Sequence, residues 1–177
     1  MSGYASGGPS LMGIFSQLSR TRQQHVIENA TSGTHSVTLN MQDMLHIRSS
    51  SGIRVDAVGK GARIILEDCT DVTLVFEKVI SSVEAIRAVR CTVTGSAPLM
   101  TLDGCRDVDI AVSEEGDAPK LLSSASEGVR VHRAGQEYTV PTSTDMQQIR
   151  TLLENGAFVS SSIERSGPGG YFEWETK

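Results

Sequence analysis

From residue 37 onwards, apolar side chains recur in pairs spaced two residues apart, which is the period of a β-strand with one buried face. The first series of these pairs is Val37/Leu39, Ile53/Val55, Val72/Leu74, Cys91/Val93, Val108/Ile110 and Val129/Val131. A second series interleaves with it: Leu45/Ile47, Ile64/Leu66, Val83/Ala85, Met100/Leu102 and Leu121/Leu122. Both series advance by about 18 residues per step, so the chain repeats one structural unit.

Short strands at this period, without helical segments between them, are typical of a chain that winds into a solenoid. Each coil would pair in parallel with the coils on either side, and the inward side chains would stack in continuous rows. The hairpin dipeptides that a β-sandwich needs at its turns occur only at Asp103-Gly104 and Asn155-Gly156. The pattern therefore predicts an all-β fold, a parallel β-helix of about six coils over residues 37–131.

The period breaks after residue 131, where the sequence predicts two further strands. Residues 136–140 (QEYTV) alternate like a strand, and Pro141 would end it because proline cannot donate to a strand ladder. Residues 157–164 (AFVSSSIE) are predicted to form the final strand.

The segment between these two strands predicts a C-terminal helix. Thr144 and Gln147 have the spacing of a helix capping box, and Gly156 is placed to end the helix. The apolar residues of the segment would lie on one helical face: Met146, Ile149 and Leu153.

The first 25 residues differ in character from the coils. Residues 1–10 are rich in Gly and Ser, whereas the apolar residues that follow have helical spacing: Leu11, Ile14, Phe15 and Leu18. We predict a flexible segment over residues 1–25 with a short amphipathic helix that docks on the domain or on a partner. The β-helix domain would then cover residues 26–167, and residues 168–177 would form a flexible tail.

The composition agrees with a strand-rich fold and limits the possible partners. Apolar residues make up 38% of the 177 residues and aromatic residues 5%, so Val, Ile and Leu must supply most of the core. The net charge is −5, with 16 basic and 21 acidic residues interspersed, which predicts no nucleic-acid partner. No apolar run is long enough to span a membrane. Three cysteines without metal-ligand spacing favour small buried residues in a reducing, cytoplasmic environment.

No residues combine into a catalytic, cofactor-binding or metal-binding pattern, so we predict a protein that is not an enzyme and uses no cofactor. The four histidines lie far apart in the sequence, and no Cys/His pair has zinc-ligand spacing. A polysaccharide lyase built on a β-helix would need acidic clusters for calcium. Carboxylates do fall on neighbouring coils, at Asp68, Asp71, Asp103 and Asp107, but carboxylates at coil corners are usually solvated.

Several segments resemble a known family in order along the chain. They include HVIEN at residues 25–29, LVFEKVISSVEAI at 74–86, AVRCTVTGSAPLMTLDGC at 88–105 and GAFVSSSIERSG at 156–167. These segments resemble the C-terminal actin-binding domain of cyclase-associated proteins, the CARP or C-CAP domain, and in particular the short protist forms. The related tubulin cofactor C domains act as GTPase activators through a Gln-x-Arg signature on a coil. QLSR at 17–20 does not reproduce that context.

The resemblance implies a right-handed parallel β-helix and a homodimer formed by exchange of C-terminal strands. Such an exchange would pair strand edges that otherwise stay exposed at the end of a solenoid. The residues that we expect at the dimer contact are Tyr138, Val140, Phe158, Val159 and Ile163.

The resemblance also implies that the chain binds ADP-actin monomers and promotes exchange to ATP-actin, which recycles monomers during filament turnover. Since actin is acidic, basic residues on an outward face could complement it. The residues that we expect at the actin contact are Arg87, Arg90, Glu77, Lys78, Arg106, Ser162, Glu164 and Arg165. The alternative is a self-assembling structural protein of the bactofilin type, in which β-helices would stack end to end.

Overall fold

The computed structural model describes residues 21–164, and every element in this range is a β-strand. The strands are β1 (Gln24–Glu28), β2 (Thr34–Leu39), β3 (Met44–Arg48), β4 (Arg54–Glu67), β5 (Thr73–Ile86), β6 (Thr92–Ser96), β7 (Leu99–Asp103), β8 (Asp109–Val112), β9 (Lys120–Ser124), β10 (Arg130–Arg133), β11 (Gln136–Thr139), β12 (Gln147–Glu154) and β13 (Ala157–Glu164). This part of the chain contains no helix that could cross a membrane. The helix predicted near residues 11–18 and the predicted tail lie outside the described residues.

The strands form two ladders of parallel pairs, as the sequence predicts. The first sheet contains β1, β3, the second halves of β4 and β5, β7 and β9. The second sheet contains β2, the first halves of β4 and β5, β6, β8 and β10. At the short corners between the two sheets, isolated parallel bridges join each coil to the next. The chain therefore winds through about six coils, which confirms the predicted β-helix.

The core consists of inward side chains that stack from coil to coil. One row in the first sheet is Leu45, Ile64, Val83, Met100 and Leu121. The corresponding row in the second sheet is Val55, Leu74, Val93, Ile110 and Val131. All of these side chains are buried, and burying each stabilises the fold by about 1.5–3 kcal/mol.

Two pairs at the ends of the predicted series occupy other positions. His35 is the residue that pairs with Val55, whereas Val37 pairs with Ala57, two residues further along the strand. At the other end, the inward residue after Leu121 is Ser123, and Leu122 faces outward. The spacing of apolar residues could not reveal the register at these two ends, since a histidine and a serine take the inner positions there.

The prediction of a C-terminal helix is wrong, because residues 147–154 form strand β12. This strand lies antiparallel between β9 and β13. Asn155 and Gly156 both have positive φ, 51° and 81°, and make the two-residue turn of a β-hairpin. Pairing on both edges of β12 satisfies its backbone groups, and its buried Ile149 and Thr151 cover the end of the coil stack.

The two other C-terminal strands are present where the sequence predicts them. β11 covers most of residues 136–140 and turns back antiparallel on β10. β13 covers residues 157–164 and pairs with β12 of the same chain. Together with β12, these strands cover the C-terminal end of the coil stack.

Candidate functional site

The corner between the first and second sheets has the same four-residue geometry in five coils. We call it the bridge corner; it comprises residues 49–52, 68–71, 87–90, 104–107 and 125–128. Its first and fourth residues have positive φ, its second residue is small and buried, and its third makes a single parallel bridge. The two positive-φ residues turn the chain, which suits Gly, Asn and Asp and is unusual for arginine. The third of these corners nevertheless places Arg87 and Arg90 at these positions, with φ of 50° and 49°.

Arg87 is held by carboxylates of the preceding coil. Its Nε donates to Asp68 Oδ1 at 2.6 Å, and its Nη2 donates to Asp68 Oδ2 at 2.9 Å and to Glu67 Oε1 at 3.2 Å. The hydrogen bonds from Arg87 lower the pKa of Asp68, and the same bonds raise the pKa of Arg87. The Arg87 side chain remains 56% exposed, so it is fixed in direction but open to a partner.

Arg90, at the other end of the same corner, is held in the same way. Its Nε and Nη2 donate to the two carboxylate oxygens of Asp71 at 2.8 and 2.9 Å, which lowers the pKa of Asp71. On the next coil, Arg106 Nε lies 2.7 Å from Glu127 Oε1. Arg90 and Arg106 are 57% and 65% exposed.

The bridge corners therefore bring together three of the predicted actin-contact residues: Arg87 and Arg90 on one coil and Arg106 on the next. Sequence reasoning treated Arg87, Arg90 and Arg106 as a basic surface, whereas the structure pairs each with a carboxylate. Asp68 and Arg87 are 19 residues apart, which is about one coil, so the coil period is a signal that places them near each other, although the pairing itself depends on the exact register. The result is a rigid strip of alternating charge, in which bidentate bonds limit the rotamers of the arginine side chains.

Glu77 and Lys78 lie at a different corner, where β5 bends from the second sheet towards the first. Both side chains are exposed, and Glu77 Oε2 accepts a hydrogen bond from Gly59 N–H at 3.0 Å. Lys78 pairs through its backbone with Lys60 of the preceding coil. These two predicted actin contacts are therefore not part of the arginine strip.

Two further predicted actin contacts, Ser162 and Glu164, lie on β13 at the C-terminal edge of the described residues. Ser162 is exposed on β13, opposite Ile149 of β12. Glu164 is the last residue of β13, and Arg165 lies outside the described residues. The predicted actin contacts that the structure describes thus occupy three separate regions.

The predicted dimer residues divide into an inner and an outer group. Tyr138 and Phe158 pack against each other with ring centroids 5.8 Å apart, and Val140 is buried beside the core. In contrast, Val159 is 45% exposed and Ile163 is partly exposed on β13. Within residues 21–164, no strand pairs with the outer edge of β13, so this edge is available for another chain.

The three cysteines are buried and chemically quiet. Burial raises the pKa of Cys69 to about 11 and also raises the pKa of Cys91 and Cys105. The thiols therefore stay protonated at neutral pH and are poor nucleophiles or metal ligands. Among the described residues, no group of three or more His, Cys, Asp or Glu could hold a metal ion.

Asp43 is a buried carboxylate that the sequence did not single out. It accepts hydrogen bonds from the N–H of Asn40 at 2.9 Å and of Gln23 at 3.2 Å, and it lies 3.3 Å from His25 Nε2. Burial by itself would raise the pKa of Asp43, but these hydrogen bonds outweigh burial and hold the pKa below its ordinary value. Asp43 thus fixes the first strand and the chain that leads into it.

Comparison with known proteins agrees with this architecture. Residues 16–165 match the family described as "Adenylate cyclase associated (CAP) C terminal". Among solved structures, the chain is similar to the cyclase-associated protein from Cryptosporidium parvum, with 21% sequence identity and a TM-score of 0.65 over 81% of this chain and 92% of that chain. This likeness confirms the β-helix fold. No curated protein matches the sequence. Because the family match covers most of the sequence, the chain belongs to the adenylate cyclase associated (CAP) C-terminal family.

Proposed function

We propose that this protein binds actin monomers in the cytoplasm and promotes exchange of their ADP for ATP. Members of its family bind actin and act by binding, without catalysing a reaction of their own, which supports the first part of the proposal. The observation that carries the proposal is the strip formed by Arg87, Arg90 and Arg106 on two neighbouring bridge corners.

The physical character of this strip suits a protein partner. Parallel ladders on both sides hold the corner rigidly, so little conformational entropy is lost on binding. Each arginine is fixed by a carboxylate yet more than half exposed, and arginine is among the residues that contribute most at protein interfaces. Acidic groups on actin could share or replace the carboxylate partners and so gain charge-assisted hydrogen bonds.

We further propose that two copies associate through their C-terminal strands, by exchange of β13 between protomers. The unpaired outer edge of β13 and its exposed Val159 support this arrangement. The strands that cover the C-terminal end of the stack argue against the alternative of a bactofilin-like filament, which needs both ends of the stack open.

Binding of labelled ADP-actin monomers, followed by fluorescence anisotropy, tests the proposed contact. The variant Arg87→Ala/Arg90→Ala/Arg106→Ala should bind at least about tenfold more weakly, because it removes three anchors from one surface. Exposed ion pairs contribute little to folding, so this variant should remain folded.

The matched control for this experiment is Arg48→Ala/Arg54→Ala, which removes two ion-paired arginines that flank the first bridge corner and lie outside the strip. The control should bind as the wild type does. Equal affinity of the wild type and the triple variant would show that the bridge corner is not the actin contact.

A further inference from the structure

The N-terminal end of the coil stack is uncovered in the part of the chain that the structure describes. β1 pairs only with β3 and β2 only with β4, so their outer edges have no neighbouring strand within residues 21–164. At the opposite end, β11 and β12 turn back on the last coil, and β13 extends this cover. The described stack therefore has one covered and one open end.

The side chains at the open end are those of an unfinished core. Ile27 and Val37 point inward but are only partly buried, whereas their partners on the next coil, Ile47 and Ala57, are 0% and 3% exposed. In the same coil, the Nε2 atom of His35 is buried without a hydrogen-bond partner among the described residues. Solenoids require a cap at such an end, since their apolar rows would otherwise stop in water.

The chain reaches the first strand from this same end. Gln23 is fixed there, because its carbonyl accepts from Met44 N–H at 2.9 Å and its N–H donates to Asp43 Oδ1 at 3.2 Å. Residues 19–22 separate this anchor from Leu18, and the five steps from Leu18 to Gln23 span at most about 17 Å. This short tether lets the apolar residues at helical spacing reach the open end: Leu11, Ile14, Phe15 and Leu18.

We propose that residues 11–18 of the same chain cover the open end and set their apolar face against Ile27 and Val37. A short tether gives the segment a millimolar effective concentration at this surface, which favours it over a second copy at ordinary protein concentrations. The segment completes the core as a cap and so blocks end-to-end stacking of the β-helix.

Hydrogen exchange of the full chain, followed by mass spectrometry, tests this cap. In Ile14→Ser/Phe15→Ser, the amides of β1 and β2 should exchange at least about tenfold faster than in the wild type, because a coil that loses its cover opens locally more often. The amides of β6 and β8 should be unchanged, which shows that the rest of the stack remains folded. The matched control Ser16→Ala/Gln17→Ala alters polar positions of the same segment and should exchange as the wild type does.

Two results would overturn the proposal. Equal protection of β1 and β2 in the wild type and in Ile14→Ser/Phe15→Ser would mean that the segment does not cover the coil. Protection that rises with protein concentration in the wild type would mean that a second copy covers it instead.

A pair of introduced cysteines distinguishes docking of residues 11–18 from docking of a second copy. Phe15→Cys combined with Val37→Cys should form a disulfide within one chain under mild oxidation, since the three natural cysteines are buried. Tyr4→Cys combined with Val37→Cys is the control and should cross-link at least about fivefold more slowly. A disulfide between chains, or equal rates for the two pairs, would contradict docking by residues 11–18.

Discussion

At the scale of single residues, each position of the coil selects side chains by size and hydrogen bonding. The second position of the bridge corner is a row of small residues: Ser50, Cys69, Ala88, Cys105 and Ser126. In this row, Ser126 Oγ and Cys105 Sγ each donate to the carbonyl two residues earlier, at 2.8 and 3.6 Å. Cys91 belongs to a different row, between Val72 and Val108, where larger apolar residues prevail. Cys91 Sγ also donates to the carbonyl two residues earlier, that of Val89, at 3.4 Å, so the two cysteines share this hydrogen bond and differ in the size of their neighbours.

These environments predict a different tolerance of valine. At position 105, Cys105→Val should cost about 1–3 kcal/mol by overpacking the row of small residues. At position 91, Cys91→Val should cost less, because valines occupy the same row on the coils on either side. Serine should be nearly neutral at both positions, since Cys91 Sγ and Cys105 Sγ each donate to the carbonyl two residues earlier. Urea unfolding of the four variants measures these costs. An equal cost of valine at both positions would contradict the assignment of the two rows.

Asp43 predicts a pH dependence of stability. Its pKa lies below the ordinary value of 3.8, so its ionised form stabilises the fold above that pH, and the contribution is lost as pH falls through the lowered pKa. At pH 7, Asp43→Asn should destabilise the protein by about 1–3 kcal/mol, because an amide meets the donors of Asn40 and Gln23.

Urea unfolding at pH 7 and at pH 3 tests this contribution. The difference in the free energy of unfolding between the wild type and Asp43→Asn should be smaller at pH 3 than at pH 7. The exposed control Asp145→Asn should have the wild-type free energy of unfolding at both pH values. A difference that stays constant or grows on acidification would count against the role assigned to Asp43.

At the scale of elements, the C-terminal hairpin shows how pattern and context compete. The spacing of Met146, Ile149 and Leu153 fits a helix, yet Ile149 and Thr151 face the core as alternate residues of a strand. Local spacing cannot reveal that β9 offers an edge for pairing, whereas Asn155-Gly156 was a sequence signal for the hairpin turn. The edge strand β13 that results is the element through which we expect dimerisation.

A charge on the outer face of β13 should therefore prevent dimerisation. The wild type should sediment at twice the 19.0 kDa mass of one chain, and Val159→Lys/Ile163→Lys should sediment as a single chain. Val58→Lys is the matched control, since Val58 is 51% exposed on the second sheet, and it should remain dimeric. Sedimentation velocity makes the comparison, and a dimeric Val159→Lys/Ile163→Lys variant would refute the role of β13.

At the scale of the whole molecule, the coil period was enough to predict the fold, but it did not reveal which surface side chains interact. Val, Ile and Leu at a period near 18 residues fix the rows of the β-helix because most inner positions are apolar. The pairing of Arg87 with Asp68 needed the exact register between coils, which Val37 and Leu122 show was uncertain at the ends. Asp43 escaped notice because two of its donors are backbone N–H groups, which leave no mark in the sequence.

The release of a fluorescent ADP analogue from actin monomers measures the proposed exchange activity. The wild-type chain should accelerate this release in proportion to its concentration until binding saturates. Arg87→Ala/Arg90→Ala/Arg106→Ala should need at least about tenfold more protein for the same acceleration, and Arg48→Ala/Arg54→Ala should act as the wild type does. An unchanged release rate at saturating wild-type protein would show that the chain does not promote nucleotide exchange on actin.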